Sequence, residues 1–219
     1  MTEATQVLEK DFHENGQVYR ERTMMGEVLH GPIREFDEEG RLTMEGTFVA
    51  GALTGKMKLF DEAERTIADL TYTNGALQGV CKYYKDGVLQ AQSEFLNGKR
   101  QGLTTTFDDT GKENARLRFD ADKQHGLSTW FDAEGDLFQT MLFSEGAKQG
   151  EALTYHSNGE VRERKTFVND KVEGEVLEFD EQGEVVQRKF FKEGKEVKPE
   201  PEEEEKKEEK KGFWSKKKE

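Results

Sequence analysis

Short stretches in which apolar and polar residues alternate recur along most of the chain, separated by turns that contain glycine. In residues 126–150, one run ends at Phe131, a turn closes at Gly135, and a second run follows over residues 136–144. Side chains of a strand alternate between two faces, so the alternation from Leu137 to Phe143 predicts a strand. The pattern therefore predicts two strands and two turns per unit, which is one β-hairpin.

Three series of glycines give the hairpins a period of 24 residues. The first series, here called the anchor glycines, is spaced by 24, 24, 23, 24, 24 and 24 residues and consists of Gly31, Gly55, Gly79, Gly102, Gly126, Gly150 and Gly174. The second series is Gly16, Gly40, Gly87, Gly111, Gly135, Gly159 and Gly183, with Glu64 in the empty slot, and the third is Gly51, Gly75, Gly98, Gly146 and Gly194, with Asp122 and Asp170 in two slots. Since Asp tolerates positive φ, we expect these acidic residues to take the place of glycine in turns.

Aromatic residues follow the same period in two columns. Five residues after the anchor glycines come Phe36, Phe60, Tyr84, Phe107, Phe131, Tyr155 and Phe179, and Phe12 fits one period earlier. Eight residues after the second series come Met24, Phe48, Tyr72, Phe95, Phe119, Phe143, Phe167 and Phe191. We expect both columns to pack along one face of a single sheet. The predicted fold is all-β, an elongated single-sheet array of about eight antiparallel hairpins over residues 1–196, roughly 75–80 Å long.

Composition and charge fit a thin sheet better than a compact globule. Only 33% of the 219 residues are hydrophobic, 36% are charged, and the mean hydropathy is −0.93. The net charge of −13 falls on residues 1–196, because residues 197–219 hold 8 Lys and 8 acidic residues. An acidic body argues against nucleic acid as a partner and favours a protein with a basic surface. The alternative is that the charge only keeps an exposed sheet soluble.

Catalytic, cofactor-binding and metal-binding residues are not predicted. His30 and His125 occupy the same slot four repeats apart, too far to share an ion, and Cys81 is the single cysteine. The thin sheet offers no pocket that would tune a carboxylate for acid–base chemistry, so we expect no enzyme activity and no cofactor. The N-terminus lacks a signal-peptide pattern and no apolar run is long enough to span a membrane, which predicts a cytoplasmic protein.

The motif itself resembles a known repeat family. The segment Asn97-Gly98-Lys99-Arg100-Gln101-Gly102, a strand ending at Phe107, the turn Asp109-Thr110-Gly111 and a strand ending at Phe119 resemble the MORN-repeat variant of many bacterial proteins. The resemblance covers about residues 8–196. Over this range the chain is similar to YwqK-family antitoxins of toxin–antitoxin systems. It implies an antiparallel hairpin array that binds proteins or lipids and scaffolds assemblies. The chain departs from the longer-known MORN pattern two residues after the anchor, where that pattern has a second glycine; here stand Ile33, Met57, Cys81, Thr104, Ser128, Ala152 and Val176.

A candidate contact surface lies toward the C-terminal repeats. The second face of the strands is mainly polar in the middle of the chain but carries Phe138, Leu142 and Phe190 further along. Apolar residues on a wet face indicate a partner site. The alternative is that one end of a twisting array buries this face or pairs with another copy, so we expect a monomer or an end-to-end dimer.

Beyond the repeats, the composition predicts a charged, disordered linker over residues 197–211 and a terminal peptide over 212–219. Phe213 and Trp214 of that peptide are flanked by Lys210 and Lys211 at the end of the linker and by Lys216, Lys217 and Lys218. The two rings form either a docking peptide that fills a pocket on another protein or a membrane anchor whose lysines meet anionic lipid. A third interpretation is an incidental tail. The sequence thus predicts a protein-binding scaffold, with a peripheral membrane scaffold attached through the tail as the alternative.

Overall fold

The computed structural model describes residues 5–198 and confirms the all-β fold. These residues form twenty strands and no helix. They divide into two units, the first ending at Ala147 and the second beginning at Lys148. The predicted linker and terminal peptide lie outside the described residues, apart from Val197 and Lys198.

In the first unit, strands that follow one another in the chain pair antiparallel. Its strands are β1 (Gln6–Phe12), β2 (Val18–Met25), β3 (Val28–Phe36), β4 (Leu42–Val49), β5 (Ala52–Leu53), β6 (Gly55–Phe60), β7 (Thr66–Thr73), β8 (Ala76–Leu77), β9 (Gly79–Lys85), β10 (Val88–Leu96), β11 (Lys99–Phe107), β12 (Glu113–Asp120), β13 (Lys123–Gln124), β14 (Gly126–Phe131) and β15 (Leu137–Ser144). The two-residue strands β5, β8 and β13 pair with the same neighbour as the longer strand that follows each of them. Each therefore begins a strand that is briefly interrupted before an anchor glycine.

The second unit repeats this arrangement with five strands. They are β16 (Ala147–Tyr155), β17 (Val161–Val168), β18 (Lys171–Phe179), β19 (Val185–Lys192) and β20 (Lys195–Val197). From β16 onward each strand pairs antiparallel with the next. The predicted hairpins are therefore present in both units.

The glycine register follows from backbone conformation. All the anchor glycines have positive φ, with the largest value, 128°, at Gly31. The predicted substitutes behave as expected, since φ is 56° at Glu64, 71° at Asp122 and 66° at Asp170. Left-handed backbone is costly for residues with a Cβ, so the turns require glycine or a tolerant polar residue at these slots.

A β-bulge recurs in every repeat just after the second-series turn. In the hairpin of β14 and β15, Phe131 pairs with Leu137 and Trp130 with Gln139, so Phe138 is left unpaired. The equivalent unpaired residues are Tyr19, Thr43, Ile67, Gln90, Asn114, Arg162 and Val186. A bulge interrupts side-chain alternation and increases the local twist. The alternation predicted from Leu137 to Phe143 therefore breaks at its second residue.

The most buried column is the slot two residues after the anchor glycine. Exposure there is 0% at Cys81, 0% at Ser128 and 2% at Ala152, and Ile33, Thr104 and Val176 are also buried. We call the side of the sheet that carries this column the core face, and the opposite side the outer face. In the first unit Ala68 and Leu70 join Cys81 in the core. The best-packed slot is thus the one in which this chain lacks the second glycine of the longer-known pattern.

The two aromatic columns lie on opposite faces, so the expectation that both line one face was wrong. Phe143 pairs with the anchor Gly126 and its ring centroid lies 6.4 Å from that of Trp130, on the core face. Phe131 follows Trp130 directly in β14 and therefore points to the outer face. There the guanidinium carbon of Arg116 lies 5.1 Å from the centroid of the Phe131 ring.

Core-face aromatics sit opposite glycines throughout both units. The pairs are Gly31 with Phe48, Gly55 with Tyr72, Gly79 with Phe95, Gly102 with Phe119, Gly126 with Phe143, Gly150 with Phe167 and Gly174 with Phe191. An aromatic ring placed across from a strand glycine covers the backbone that the glycine leaves bare. This pairing explains why the two residue types share one period.

Candidate binding surface

The outer face of the first unit carries one apolar pair among polar ones. The residue after each anchor glycine faces a cross-strand partner, giving Pro32 with Thr47, Lys56 with Thr71, Val80 with Glu94, Leu103 with Arg118, and Leu127 with Leu142. Among these five pairs, the last alone joins two large apolar side chains. Leu127 is 47% exposed and Leu142 is 38% exposed, so the pair meets solvent.

Polar and charged residues surround this leucine pair. Beside it, Thr129 pairs with Thr140 on the same two strands and with Arg116 on β12. At the turn that follows Leu142, the ammonium of Lys123 lies 2.9 Å from a carboxylate oxygen of Glu145. A small apolar centre with a polar rim is the usual anatomy of a contact site between proteins.

The other predicted contact residues on the sheet do not join this pair. Phe138 is 42% exposed but is the bulge residue of β15, so it does not share a face with Leu142 by spacing. At the equivalent bulge, Asn114 accepts a 2.6 Å hydrogen bond from the hydroxyl of Thr106. Thr106 pairs with buried Ala115, so this bulge side chain is turned toward the core face.

Phe190 lies in the second unit, on β19. It is half-buried and pairs with Glu175 on β18 and with Val197 on β20. The remaining predicted contact residues, Phe213, Trp214 and the five lysines around them, lie outside the described residues. The role of all these side chains in binding stays a prediction.

Leu127 was missed as a contact residue at the sequence level. Its immediate neighbours, Gly126 and Ser128, are small, so Leu127 stands alone as a single apolar residue at the start of the run. A comparison of equivalent positions across the repeats could have found it. At the position after the anchor glycine, every other residue of the first unit is polar or has a polar cross-strand partner.

Acidic turns of neighbouring repeats form an open groove in the first unit. The groove has a volume of about 980 Å³, and its lining includes Asp37, Glu38, Asp61, Glu62 and the ring of Phe60. Its arginines are already engaged: Arg41 Nε lies 2.7 Å from Asp37, and Arg65 Nε lies 2.9 Å from Asp61. The backbone N–H of Arg65 and the Arg65 side chain hold the pKa of Asp61 below its usual value. The groove therefore stays anionic at neutral pH.

Two of the histidines tie one repeat to the next. The Nε2 atoms of His13 and His156 lie 2.9 Å from the backbone carbonyl oxygens of Phe36 and Phe179, one repeat further along. They stand in the slot where other repeats have an aspartate such as Asp61, whose Oδ1 accepts backbone N–H bonds within its own turn. Within residues 5–198, no group of three His, Cys, Asp or Glu side chains is placed to hold a metal ion. In the same range, no helix is long and apolar enough to cross a membrane.

One family matches part of this geometry. Residues 148–169 match the MORN repeat variant family. The match covers most of the β16–β17 hairpin, and the same hairpin recurs with the same period elsewhere in the described chain, which supports MORN-repeat membership. No curated protein matches the sequence.

Three solved structures match this chain with TM-scores well below 0.5. TarM is 19% identical with a TM-score of 0.33, and the match covers 43% of this chain and 19% of TarM. A GtfA/B complex bound to UDP and GlcNAc is 13% identical with a TM-score of 0.24, over 53% of this chain and 23% of that one. A porin-like protein from Bacteroides uniformis is 12% identical with a TM-score of 0.21, over 90% and 94% of the two chains. This chain thus spans less than a quarter of the first two proteins, and none of these likenesses bears on function.

Proposed function

We propose that this MORN repeat protein is a non-enzymatic scaffold that binds another protein through the outer face of its first unit. The observation that carries the proposal is the exposed pair Leu127 and Leu142 among otherwise polar outer-face pairs. MORN repeats generally bind proteins or membranes, and that property supports a scaffold role.

The physical argument rests on the free energy gained when a partner buries the two leucine side chains. Each is already about half hidden, so full burial by a partner stabilises a complex by roughly 1 kcal/mol per side chain. Two such contacts make a modest anchor, and a flat sheet lets a partner add polar contacts at the surrounding rim. This arrangement suits a broad protein surface better than a small molecule, which would need a concave site.

Charge supports a partner with a basic surface. The chain carries a net charge of −13, and the anionic groove between neighbouring turns lies in the same unit as the leucine pair. Such a field accelerates association with a cationic protein and weakens as salt rises. A toxin neutralised by this protein, as the similarity to YwqK-family antitoxins implies, would be one such partner, and we place the protein in the cytoplasm.

The test compares two substitutions at the same slot of the repeat. Leu142→Glu removes the apolar pair, whereas Thr47→Glu places the same charge in the equivalent slot of an earlier repeat. Tagged full-length variants are used to capture proteins from the native lysate, with circular dichroism confirming that each variant is folded. We expect a set of proteins retained by wild type and Thr47→Glu but lost with Leu142→Glu. Equal capture by all three variants would show that the leucine pair is not the contact site.

A further inference from the structure

A small recess opens on the second unit and differs in character from the anionic groove. It has a volume of about 320 Å³, and its lining includes Leu153, Val161, Phe179, Glu151, Glu160 and Arg164. Three of these side chains are apolar, two are acidic, and one, Arg164, is basic. The recess is therefore an apolar floor with carboxylates beside it.

Three strands of the second unit build this recess. Leu153 on β16 faces Arg164 on β17, and Leu177 on β18 faces Arg164 from the other side. The guanidinium carbon of Arg164 lies 6.0 Å from the centroid of the Phe179 ring, so the ring covers one side of the guanidinium group. The half-buried Leu153, Val161 and Phe179 leave apolar surface open to a ligand, while Glu151 and Glu160 are exposed at the recess.

The chain itself contains a segment with matching chemistry. Residues 210–219 read Lys-Lys-Gly-Phe-Trp-Ser-Lys-Lys-Lys-Glu, two adjacent rings between lysines. The recess of about 320 Å³ lies at the lower end of the size range of ligand pockets, so it suits a single group such as the ring of Phe213 or Trp214. The flanking ammonium groups would then meet the carboxylates of Glu151 and Glu160.

The length of the intervening chain also fits. The last described strand, β20, belongs to the second unit and pairs with β19, which pairs with β18. Strands lie about 4.8 Å apart, so the recess strands lie roughly 10–20 Å from β20. The fifteen residues from 199 to 213 can span up to about 50 Å when fully extended, which is more than this distance. A tether long enough to reach the recess makes docking an intramolecular event, which favours even a weak contact.

We propose that residues 210–219 dock into this recess of the same chain, with a ring of Phe213 or Trp214 on the apolar floor. The tail is then an intramolecular ligand of the second unit. A partner that binds either the tail or the recess must displace this contact first, so docking sets a threshold for binding at this end of the chain. The proposal uses a different unit from the leucine pair and stands independently of it.

Trp214 provides the readout. The chain has two tryptophans, Trp130 and Trp214, so a Trp130→Phe variant leaves Trp214 as the sole reporter in the full-length protein. We expect its emission to be shifted to the blue and its acrylamide quenching to be at least twofold weaker than in the same chain denatured in urea. Dilution over a hundredfold should leave both unchanged, because the contact is within one chain.

Rim substitutions make the test specific. In the Trp130→Phe background, the double change Glu151→Lys and Glu160→Lys reverses two exposed charges at the recess, whereas Glu181→Lys changes an exposed turn residue that does not line it. We expect the double variant to release Trp214 to solvent and Glu181→Lys to leave it docked, with thermal melts showing that both fold. A solvent-exposed Trp214 in the parent protein would overturn the proposal. So would a signal that vanishes on dilution, which indicates docking onto a second copy, or a blue shift that needs anionic vesicles, which indicates a membrane anchor.

Discussion

The pairing of core-face rings with anchor glycines makes a quantitative prediction about Phe119, which belongs to that column, in comparison with Phe12, which belongs to the other aromatic column. Phe119 on β12 is 9% exposed, faces Gly102, and has the guanidinium carbon of Arg100 4.0 Å from its ring centroid. Phe12 at the end of β1 is 61% exposed. Both fit the 24-residue period, so the sequence pattern alone assigns them comparable weight.

The structure separates their contributions. With about 200 Å² of surface per ring, Phe119 hides about 180 Å² and Phe12 about 80 Å². At about 25 cal/mol per Å² these areas correspond to at most roughly 4.5 and 2 kcal/mol, and the alanine that replaces each ring keeps part of that burial. We therefore expect Phe119→Ala to lower the free energy of unfolding by about 3–4 kcal/mol, including the cavity, and Phe12→Ala by about 1 kcal/mol.

Urea unfolding of the full-length protein, followed by circular dichroism, measures the difference. The midpoint should fall clearly for Phe119→Ala and little for Phe12→Ala. Arg100→Ala serves as a further control, because it removes the cation over the ring and leaves the ring itself in place; a loss of about 0.5–1 kcal/mol is expected. Equal midpoints for the two phenylalanine variants would refute the claim that the core-face column carries the packing.

Three further outcomes follow from the same structure. Gly31→Ala should destabilise by about 1–3 kcal/mol and more than Gly55→Ala, because a Cβ at Gly31 would lie 2.8 Å from Thr23 Cβ at a φ of 128°, whereas Gly55 has open space; matched urea titrations give the comparison. The pKa of Asp61 is lowered by the backbone and side chain of Arg65, so its contribution to stability is present above the ordinary Asp pKa of about 3.9 and is lost as the pH falls through the lower folded value; Asp61→Asn should flatten that acid limb in urea midpoints taken from pH 7 to 2. Burial raises the pKa of the Cys81 thiol and leaves it 0% exposed, so a thiol reagent should label it only as the first unit opens, at a rate that rises with urea; fast labelling in native buffer would contradict the packing.

The hairpins and turns could be predicted from the sequence because their backbone conformation restricts which residues can occupy the turns. A positive φ at a fixed slot can be met by few residue types, so the requirement appears directly as a glycine register, and Asp122 and Asp170 are recognisable exceptions. The residues that pack in the core were harder to assign. Phe131 and Phe143 belong to equally regular columns, and only the cross-strand pairing of Phe143 with Gly126 shows which of them shares a face with buried Ser128.

The residues of the candidate surface could not be identified from residue spacing along the sequence alone. Counting from Leu142, Phe138 is four residues away and should share its face, but the bulge at Phe138 changes the phase within the strand. Leu127 lies opposite Leu142 across the hairpin of β14 and β15. Turn length and bulge position together set this register. The sequence therefore indicated only β15 of the two strands that carry the candidate pair, whereas the strand register adds Leu127 of β14.

The first hairpin carries charged side chains on its core face. Where later repeats carry Ile33 or Cys81, β1 has Glu9, which pairs with Arg22 at 3.1 Å between Oε2 and Nε. A second ion pair follows on the same face, since Arg22 Nη1 lies 3.4 Å from Asp11. These side chains are 31–45% exposed, so each pair adds at most about 1 kcal/mol to stability. Their effect is on specificity instead, because another sheet edge that approached this strand would have to desolvate these charges. The charges of the first hairpin therefore disfavour the addition of another strand beside β1.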